Sequence, residues 1–480
     1  MSSFSGAGLQ YPSHPLLLKK MRSIIIGLDC LEPTLVDRWL GDLPTFARLR
    51  KMGAWGRMRS CVPPITVPAW SCMTSSHDPG SLGIYGFRNR TDHTYTGLGF
   101  ATSDWVRADR LWDILSRAGK KCSVLGVPGT FPVRPVNGQM VSCFLTPSDQ
   151  SAWTFPPELK NEIATWLNGE KYVFDVADFR SADKVRILAD IHTMTARRFT
   201  VARGMLEKYA PDFFMMVEMG SDRIHHGFWH YMDSGHRKFE PGPLTPAIHD
   251  YYVQLDSEIA RLLEKIDLRE TSLLLISDHG AKRLDGGVCI NEWLRREGWL
   301  VLKNENVPRG TALAKCDIDW TRTRAWGEGG YYARVCLNVK GREPQGAVEP
   351  GDFERLRDEL AAKLREIPDD RGQPMGTHTH KPQELYRRVE GIAPDLVVIF
   401  GDLNWRAVGT LGYDSIYTLE NDTGPDEANH AQFGFFNWIA PMIAPRAGAM
   451  DIDILDVAPT LLSHVGHPVP ASMQGRALAL

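Results

Sequence analysis

Three short apolar runs set the frame of this chain, because each is long enough for one buried strand and each is closely followed by an acid. Residues 23–28 (Ser-Ile-Ile-Ile-Gly-Leu) precede Asp29, residues 272–277 precede Asp278, and residues 212–219 precede Asp222. Continuous rather than alternating hydrophobicity predicts strands covered on both faces, as in a parallel sheet. The three acids then stand at strand C-terminal ends, where open α/β sheets place their ligands.

Helical spacing fills the intervals. Leu35, Trp39, Leu43, Phe46 and Leu49 predict helix over residues 31–52 with a break near Pro44. A second helix begins at Thr66, with Thr66 as its N-cap and Pro68 in its first turn. Residues 112–118 read as helix, 122–127 as strand and 182–209 as a long helix. After His279 the pattern loosens: residues 304–315 are polar, 353–365 form an amphipathic helix, and 372–382 read as a turn-rich loop. Residues 395–400 predict one more strand and 453–465 a closing helix. Alternating β and α segments predict a doubly wound α/β sheet with helices on both faces. The expected organisation is a loosely ordered arm at 1–20, a core at 21–300, an inserted lid at 301–390, and a return to the core sheet at 391–480.

Composition narrows the function classes. A length of 480 residues suits one large core with a lid, and 43% hydrophobic and 24% charged residues are ordinary globular values. The net charge of -3 provides no field for a nucleic-acid polymer or an anionic membrane, so neither partner is expected. The eight cysteines form no C-x-x-C pair, which suits reduced thiols and a reducing compartment. The only apolar run in the first twenty residues, Leu16-Leu17-Leu18, is too short for a signal-peptide core, and no later segment approaches a membrane span. The expectation is a soluble, cytoplasmic protein.

The acids then acquire partners. Asp222 and His226 are four apart, so on a helix both side chains leave one face and can reach a single cation. The same spacing also suits a plainer arrangement, in which Asp222 caps the helix, His226 packs on Trp229, and the neighbouring His225 and His230 have no metal role. Asp278-His279 places two metal-type residues directly after a strand; Asp-His-Gly is equally good turn chemistry. His430, in Asn429-His430-Ala431-Gln432, is a candidate further nitrogen donor. Thr66 can simply cap its helix. Its hydroxyl also stands where unpaired N–H groups and the positive end of the helix dipole would receive a phosphoryl group.

Taken in order, Gly27-Leu28-Asp29, Thr66-Val67-Pro68-Ala69-Trp70, Asp222 to His226 with Phe228-Trp229, Ser277-Asp278-His279-Gly280, and His430 with Gly434 resemble the alkaline phosphatase superfamily. Within it they are similar to the type I phosphodiesterase and nucleotide pyrophosphatase branch, over roughly residues 22–300 and 390–465. The resemblance implies an alkaline phosphatase-like sheet with an inserted lid and a small-molecule phosphate ester or anhydride as substrate. It implies two divalent ions, zinc first and manganese second, with Asp222, His226 and His430 on one ion and Asp29, Asp278, His279 and the Thr66 oxygen on the other. Such ions lie roughly 3.5–4 Å apart and clamp the attacking and leaving oxygens. Thr66 is then the nucleophile, passing through a phospho-threonine intermediate.

One departure bears on specificity. Nucleotide pyrophosphatases of this branch carry an asparagine shortly after a His-Gly-Ile segment, whereas Leu82-Gly83-Ile84-Tyr85-Gly86-Phe87 places phenylalanine there, with Asn89 two residues on as a substitute or a turn residue. Sulfatases are disfavoured, because they need Cys or Ser before x-Pro-x-Arg and this chain has Thr66-Val67-Pro68-Ala69. Three alternatives to a phosphodiesterase stay open: a phosphomutase or phosphotransferase, a phosphonate or phosphate monoester hydrolase, and a non-catalytic phosphate-ligand binder. His378 and His380 form an H-x-H pair, read as a solvated loop. The acidic run 421–427 is either a surface loop or the segment that orders His430.

Overall fold

The computed structural model describes residues 21–480; the arm expected at 1–20 lies outside them. Seven elements position the site. They are β1 (Arg22–Leu28), α1 (Thr66–Ser75), β2 (Phe213–Glu218), α2 (Gly220–Met232), β3 (Thr271–Ile276), β4 (Ala428–Ala431) and β5 (Phe433–Ile439).

β1 lies between β2 and β3, parallel to both, and Gly27 stands opposite Val217 on one side and Ile276 on the other. This register brings the three carboxyl ends level, so the acids that follow them converge. The continuous apolar runs are explained by this placement: Ile24, Ile25, Ile26 and Leu28 of β1 are all buried, as is every residue of β2 and β3. The whole sheet has nine strands. From one edge the order is Met450–Asp453, Ala54–Arg59, β5, β3, β1, β2, then Cys122–Leu125, Gly138–Val141 and Thr154–Phe155. It is mixed, since β5 runs antiparallel to both of its neighbours.

α1 is buried along its full length and presses Trp70 onto β1 at Gly27. A Cβ on Gly27 would stand 2.5 Å from Trp70 Cη2 and 2.8 Å from Val217 Cγ2, so only glycine admits the helix this close. Ile65, in an extended conformation, caps α1, and Thr66 is its first helical residue rather than the expected cap; no side chain bonds the free amides. The Thr66 hydroxyl is thereby released from capping.

A second hydrophobic cluster, separate from that of the large sheet, gathers Val288, Leu294, Trp326, Val335, Leu360 and Val398 among others. It is built on a four-stranded sheet ordered Ala325–Glu328, Ala333–Leu337, Leu396–Ile399, His378–His380, and the helix Phe353–Arg365 packs its Leu356, Leu360 and Leu364 face into it. Two expectations are corrected. The strand at 395–400, expected in the return of the chain to the core sheet, pairs within this smaller sheet, and the large sheet is rejoined only at β5. An apolar run identifies a strand without identifying its sheet. The H-x-H pair lies on an edge strand rather than in a loop, with the two rings nearly parallel and 6.2 Å apart.

Candidate metal centre

All seven residues singled out in the sequence meet at the carboxyl ends of β1, β2 and β3. Asp29 follows β1, Asp278 and His279 follow β3, and Asp222 and His226 project from the first turns of α2, which β2 feeds directly. His430 arrives on β4, which pairs antiparallel with Gly280–Arg283 immediately beyond His279, and Thr66 opens α1 above them. All seven are buried.

The three histidines share one orientation. Nδ1 of His279 lies 3.1 Å from the Gly280 carbonyl, Nδ1 of His430 lies 2.7 Å from the Pro64 carbonyl, and Nδ1 of His226 lies 2.7 Å from Asp426 Oδ1. A carbonyl only accepts, so Nδ1 carries the proton in His279 and His430, and Nε2 turns a lone pair inward. Those inward nitrogens face carboxylates. His279 Nε2 is 3.2 Å from Asp278 Oδ2, His226 Nε2 is 3.2 Å from Asp222 Oδ1, and His430 Nε2 is 3.7 Å from the same Asp222 oxygen. Asp29 Oδ1, Asp278 Oδ2 and His226 Nε2 are buried without a hydrogen-bond partner. At His279 and His430 acceptor faces acceptor in a buried site, which fits a cation between them.

The electrostatics agree. Burial, reinforced by the Asp222 charge, pushes Asp29 well above the usual carboxylate range, and burial with the Asp29 charge does the same to Asp278. Burial opposes ionisation of Asp222 as well, but His226 and Arg223 hold it well below that range. Burial depresses His279 to about 4 and takes His430 well below its ordinary value. His226 is the exception: against burial, Asp426 and Asp222 raise it to about 9. A divalent ion would offset the like charges of Asp29, Asp222 and Asp278 and take the inward nitrogens as ligands. Two overlapping triads can hold one, Asp29 with Asp278 and His279, and Asp222 with His279 and His430, their donor atoms within 4.8 Å of one another. Cys30 approaches Asp222 and His226 in a third, but its thiol donates to the Gly280 carbonyl at 3.3 Å.

Thr66 Oγ1 lies 3.3 Å from His279 Nε2, which places the hydroxyl against the Asp29–Asp278–His279 group. Several supporting residues carried little signal in the sequence. Trp70 Nε1 donates to Asp29 Oδ2 at 2.6 Å, and Arg223 grips Asp222 while its other edge pairs with Asp175 at 2.7 Å. Asp426, from the acidic run, orients His226 and not His430; it also takes Arg180 at 3.0 Å and Arg406 at 3.2 Å. Tyr331 stacks on His226 and lies tilted against His430. His225 is the histidine that packs on Trp229, and it pairs with the Tyr252 hydroxyl at 3.0 Å. Asn89 is spent on its own turn, accepting from the Tyr85 amide and donating to the Gly86 carbonyl. An open cavity of about 560 Å³ leads to Thr66, Asp222 and His430 and is lined by Phe87 rather than Asn89.

Among the described residues no helix is long and apolar enough to cross a membrane. All eight cysteines are free thiols.

A family model described as type I phosphodiesterase/nucleotide pyrophosphatase matches residues 23–426. No curated protein matches the chain. Among solved structures, phosphonoacetate hydrolase from Sinorhizobium meliloti 1021, in complex with phosphonoformate, superposes with a TM-score of 0.60 at 15% identity, over 94% of this chain and 96% of that one. Human ectonucleotide pyrophosphatase/phosphodiesterase 5 gives 0.54 at 13% identity over 94% and 96%. At these identities the likeness is one of fold.

Proposed function

The chain belongs to the type I phosphodiesterase/nucleotide pyrophosphatase family, metal-dependent phosphoryl hydrolases of the alkaline phosphatase superfamily, and from that premise we propose that it cleaves a small phosphodiester or phosphoanhydride through Thr66. The observation that carries the reading is the inward-facing Nε2 atoms of three buried histidines set against three buried carboxylates, with a hydroxyl beside them.

Asp222, His226 and His430 would hold one divalent ion, and Asp29, Asp278, His279 and Thr66 Oγ1 the other; imidazole with carboxylate suits zinc, and manganese follows. Two such ions would supply positive charge to the phosphoryl oxygens and favour ionisation of a hydroxyl. The chain's own part is placement. Ile65 takes the cap position, so the Thr66 hydroxyl is free to meet His279 and no side chain occupies the N-terminal amides of α1, which would be open to an anion. Pro68 brings no N–H, which leaves the Thr66 and Val67 amides to receive a phosphoryl oxygen. Thr66 Oγ1 forms a bond to phosphorus as the bond to the leaving oxygen breaks in line, the Thr66 proton passing to solvent and the leaving oxygen departing as alkoxide, which solvent then protonates, or as phosphate. Water then attacks the phospho-threonine and restores the hydroxyl. Tyr331, Tyr332 and Arg406 line the same cavity, so the region inserted between His279 and His430 would act as a lid that selects the alcohol. Eight free thiols support a reducing compartment.

The test is turnover of bis-p-nitrophenyl phosphate, p-nitrophenyl phosphate and a p-nitrophenyl phosphonate ester by metal-stripped protein with zinc or manganese restored. Metal-dependent preference for the diester is the expected result. Preference for the monoester or the phosphonate would replace the diester reading, and transfer to an acceptor without free phosphate would identify a transferase.

A further inference from the structure

The cavity that opens on Thr66 is lined by five arginines, and four of them are committed to acids. Arg223 pairs with Asp175 and Asp222, Arg180 and Arg406 with Asp426, and Arg334 with Glu328 at 3.5 Å. Arg88 differs. Among the described residues no carboxylate lies within 4.0 Å of it and its guanidinium makes no hydrogen bond. It is nonetheless held in place. Arg88 stands directly opposite Phe100 in the hairpin Arg88–Arg90/Leu98–Phe100, with its guanidinium carbon 5.7 Å from the Phe100 ring centroid. Arg334 donates to the Arg88 carbonyl, and the buried Asn89 locks the preceding turn. Contact with a ring face leaves the in-plane N–H edges of a guanidinium free, and those edges match a carboxylate or phosphate two at a time. Phe100 is 56% exposed, the most exposed large aromatic among the described residues, and it lines the same cavity as Arg88.

We propose that Arg88, steadied on Phe100, receives a second anionic group on the alcohol portion of the substrate, so that the substrate class is a phosphodiester or anhydride bearing a further carboxylate or phosphate. This rests on the phosphodiesterase reading for the reacting phosphorus and adds to it what the distal end of the substrate carries. Arg88 is a specificity residue that does not touch the reacting atoms, and Phe87 and Phe100, which line the same cavity, would contact the apolar part of the substrate.

The experiment compares kcat/KM for ethyl p-nitrophenyl phosphate with that for its 2-carboxyethyl and 2-phosphoethyl analogues, in the metal-loaded enzyme and in Arg88→Gln and Arg88→Lys. The expected result is a preference of about tenfold for an analogue with the extra charge, the worth of one charge-assisted hydrogen bond. That ratio should collapse in Arg88→Gln and return in part in Arg88→Lys, and the better analogue identifies carboxylate or phosphate. A ratio of one in the native enzyme, or a ratio unchanged by Arg88→Gln, overturns the proposal. Should none of the diesters turn over, the phosphodiesterase reading has failed and calorimetric binding decides the subsite. Tighter binding of 4-carboxyphenylphosphonate than phenylphosphonate, lost in Arg88→Gln, supports it, and equal affinities overturn it.

Discussion

His226 Nδ1 and Asp426 Oδ1 are 2.7 Å apart, and this pair ties the candidate metal centre to the region inserted between β3 and β4. Arg406 lies on a strand of that insertion, and Tyr331 on one of its loops contributes its ring to His226. A carboxylate on the outer nitrogen fixes the ring orientation and raises the basicity of the inner one.

Asp426→Asn keeps the shape and removes the charge. It should weaken binding at one metal position by about ten- to a hundredfold, measured by competition with a chelator of known affinity, while the circular dichroism spectrum stays native. Unchanged affinity would mean that Asp426 serves only Arg180 and Arg406.

Thr66→Ala should lower kcat by about a thousandfold or more with both metals retained by elemental analysis. Thr66→Ser keeps a hydroxyl at the N-terminus of α1 and should retain measurable turnover. Near-native rates in the alanine variant would eliminate covalent catalysis.

Gly27→Ala inserts a methyl group where Trp70 Cη2 is 2.5 Å from the new atom. Overpacking should cost about 1–3 kcal/mol in denaturant unfolding. Trp70 donates to Asp29, so displacement of the indole should lower metal occupancy as well. A variant as stable and as fully loaded as the parent would show that α1 can slide on the sheet without consequence.

Acid sensitivity has a contribution far from the metal ligands. His464 packs against Trp438 with ring centroids 5.1 Å apart, its Nδ1 has no partner, and burial lowers it to about 4. An unfolded histidine titrates near 6.5. As pH falls from about 6.5 toward 4 the unfolded chain gains a proton that the folded chain refuses, so stability is lost across that window, by at most about 1.4 kcal/mol per pH unit. Above pH 6.5 both states are neutral and the penalty vanishes. His464→Gln should flatten this limb, and a difference between the two proteins that is constant from pH 7 to 4.5 would refute the assignment.

The large sheet was legible in the sequence where burial on both faces removes every polar alternative: β1, β2 and β3 are continuous apolar runs, and the acids after them follow from the topology. The alkaline phosphatase-like fold and the family were legible in the order of the quoted motifs. The strands around Gly286–Cys289 and Trp405–Val408 left no such trace, because two glycines and an arginine interrupt the apolar pattern. The partner of Asp426 could not be read from its neighbourhood in the chain, since nearness to His430 in sequence suggested the wrong histidine. His378 and His380 lacked the length of run that marks a strand, and their pairing with Ile399 and Val397 comes from a partner almost twenty residues away.

The place of β5 governs the order in which this molecule can be completed. β5 sits between β3 and the strand Ala54–Arg59, so the early strand Ala54–Arg59 and the late strand Met450–Asp453 reach the rest of the sheet only through residues 433–439. A nascent chain that already contains Asp29 through His279 has neither a closed sheet nor His430. Pairings this distant in sequence carry the loop-closure entropy that slows folding. Addition of residues 428–439 to the growing chain is therefore the event that joins the sheet and brings His430 into place, and truncation before β5, which also removes Met450–Asp453, would leave the strand Ala54–Arg59 without a neighbour beside a six-stranded remainder.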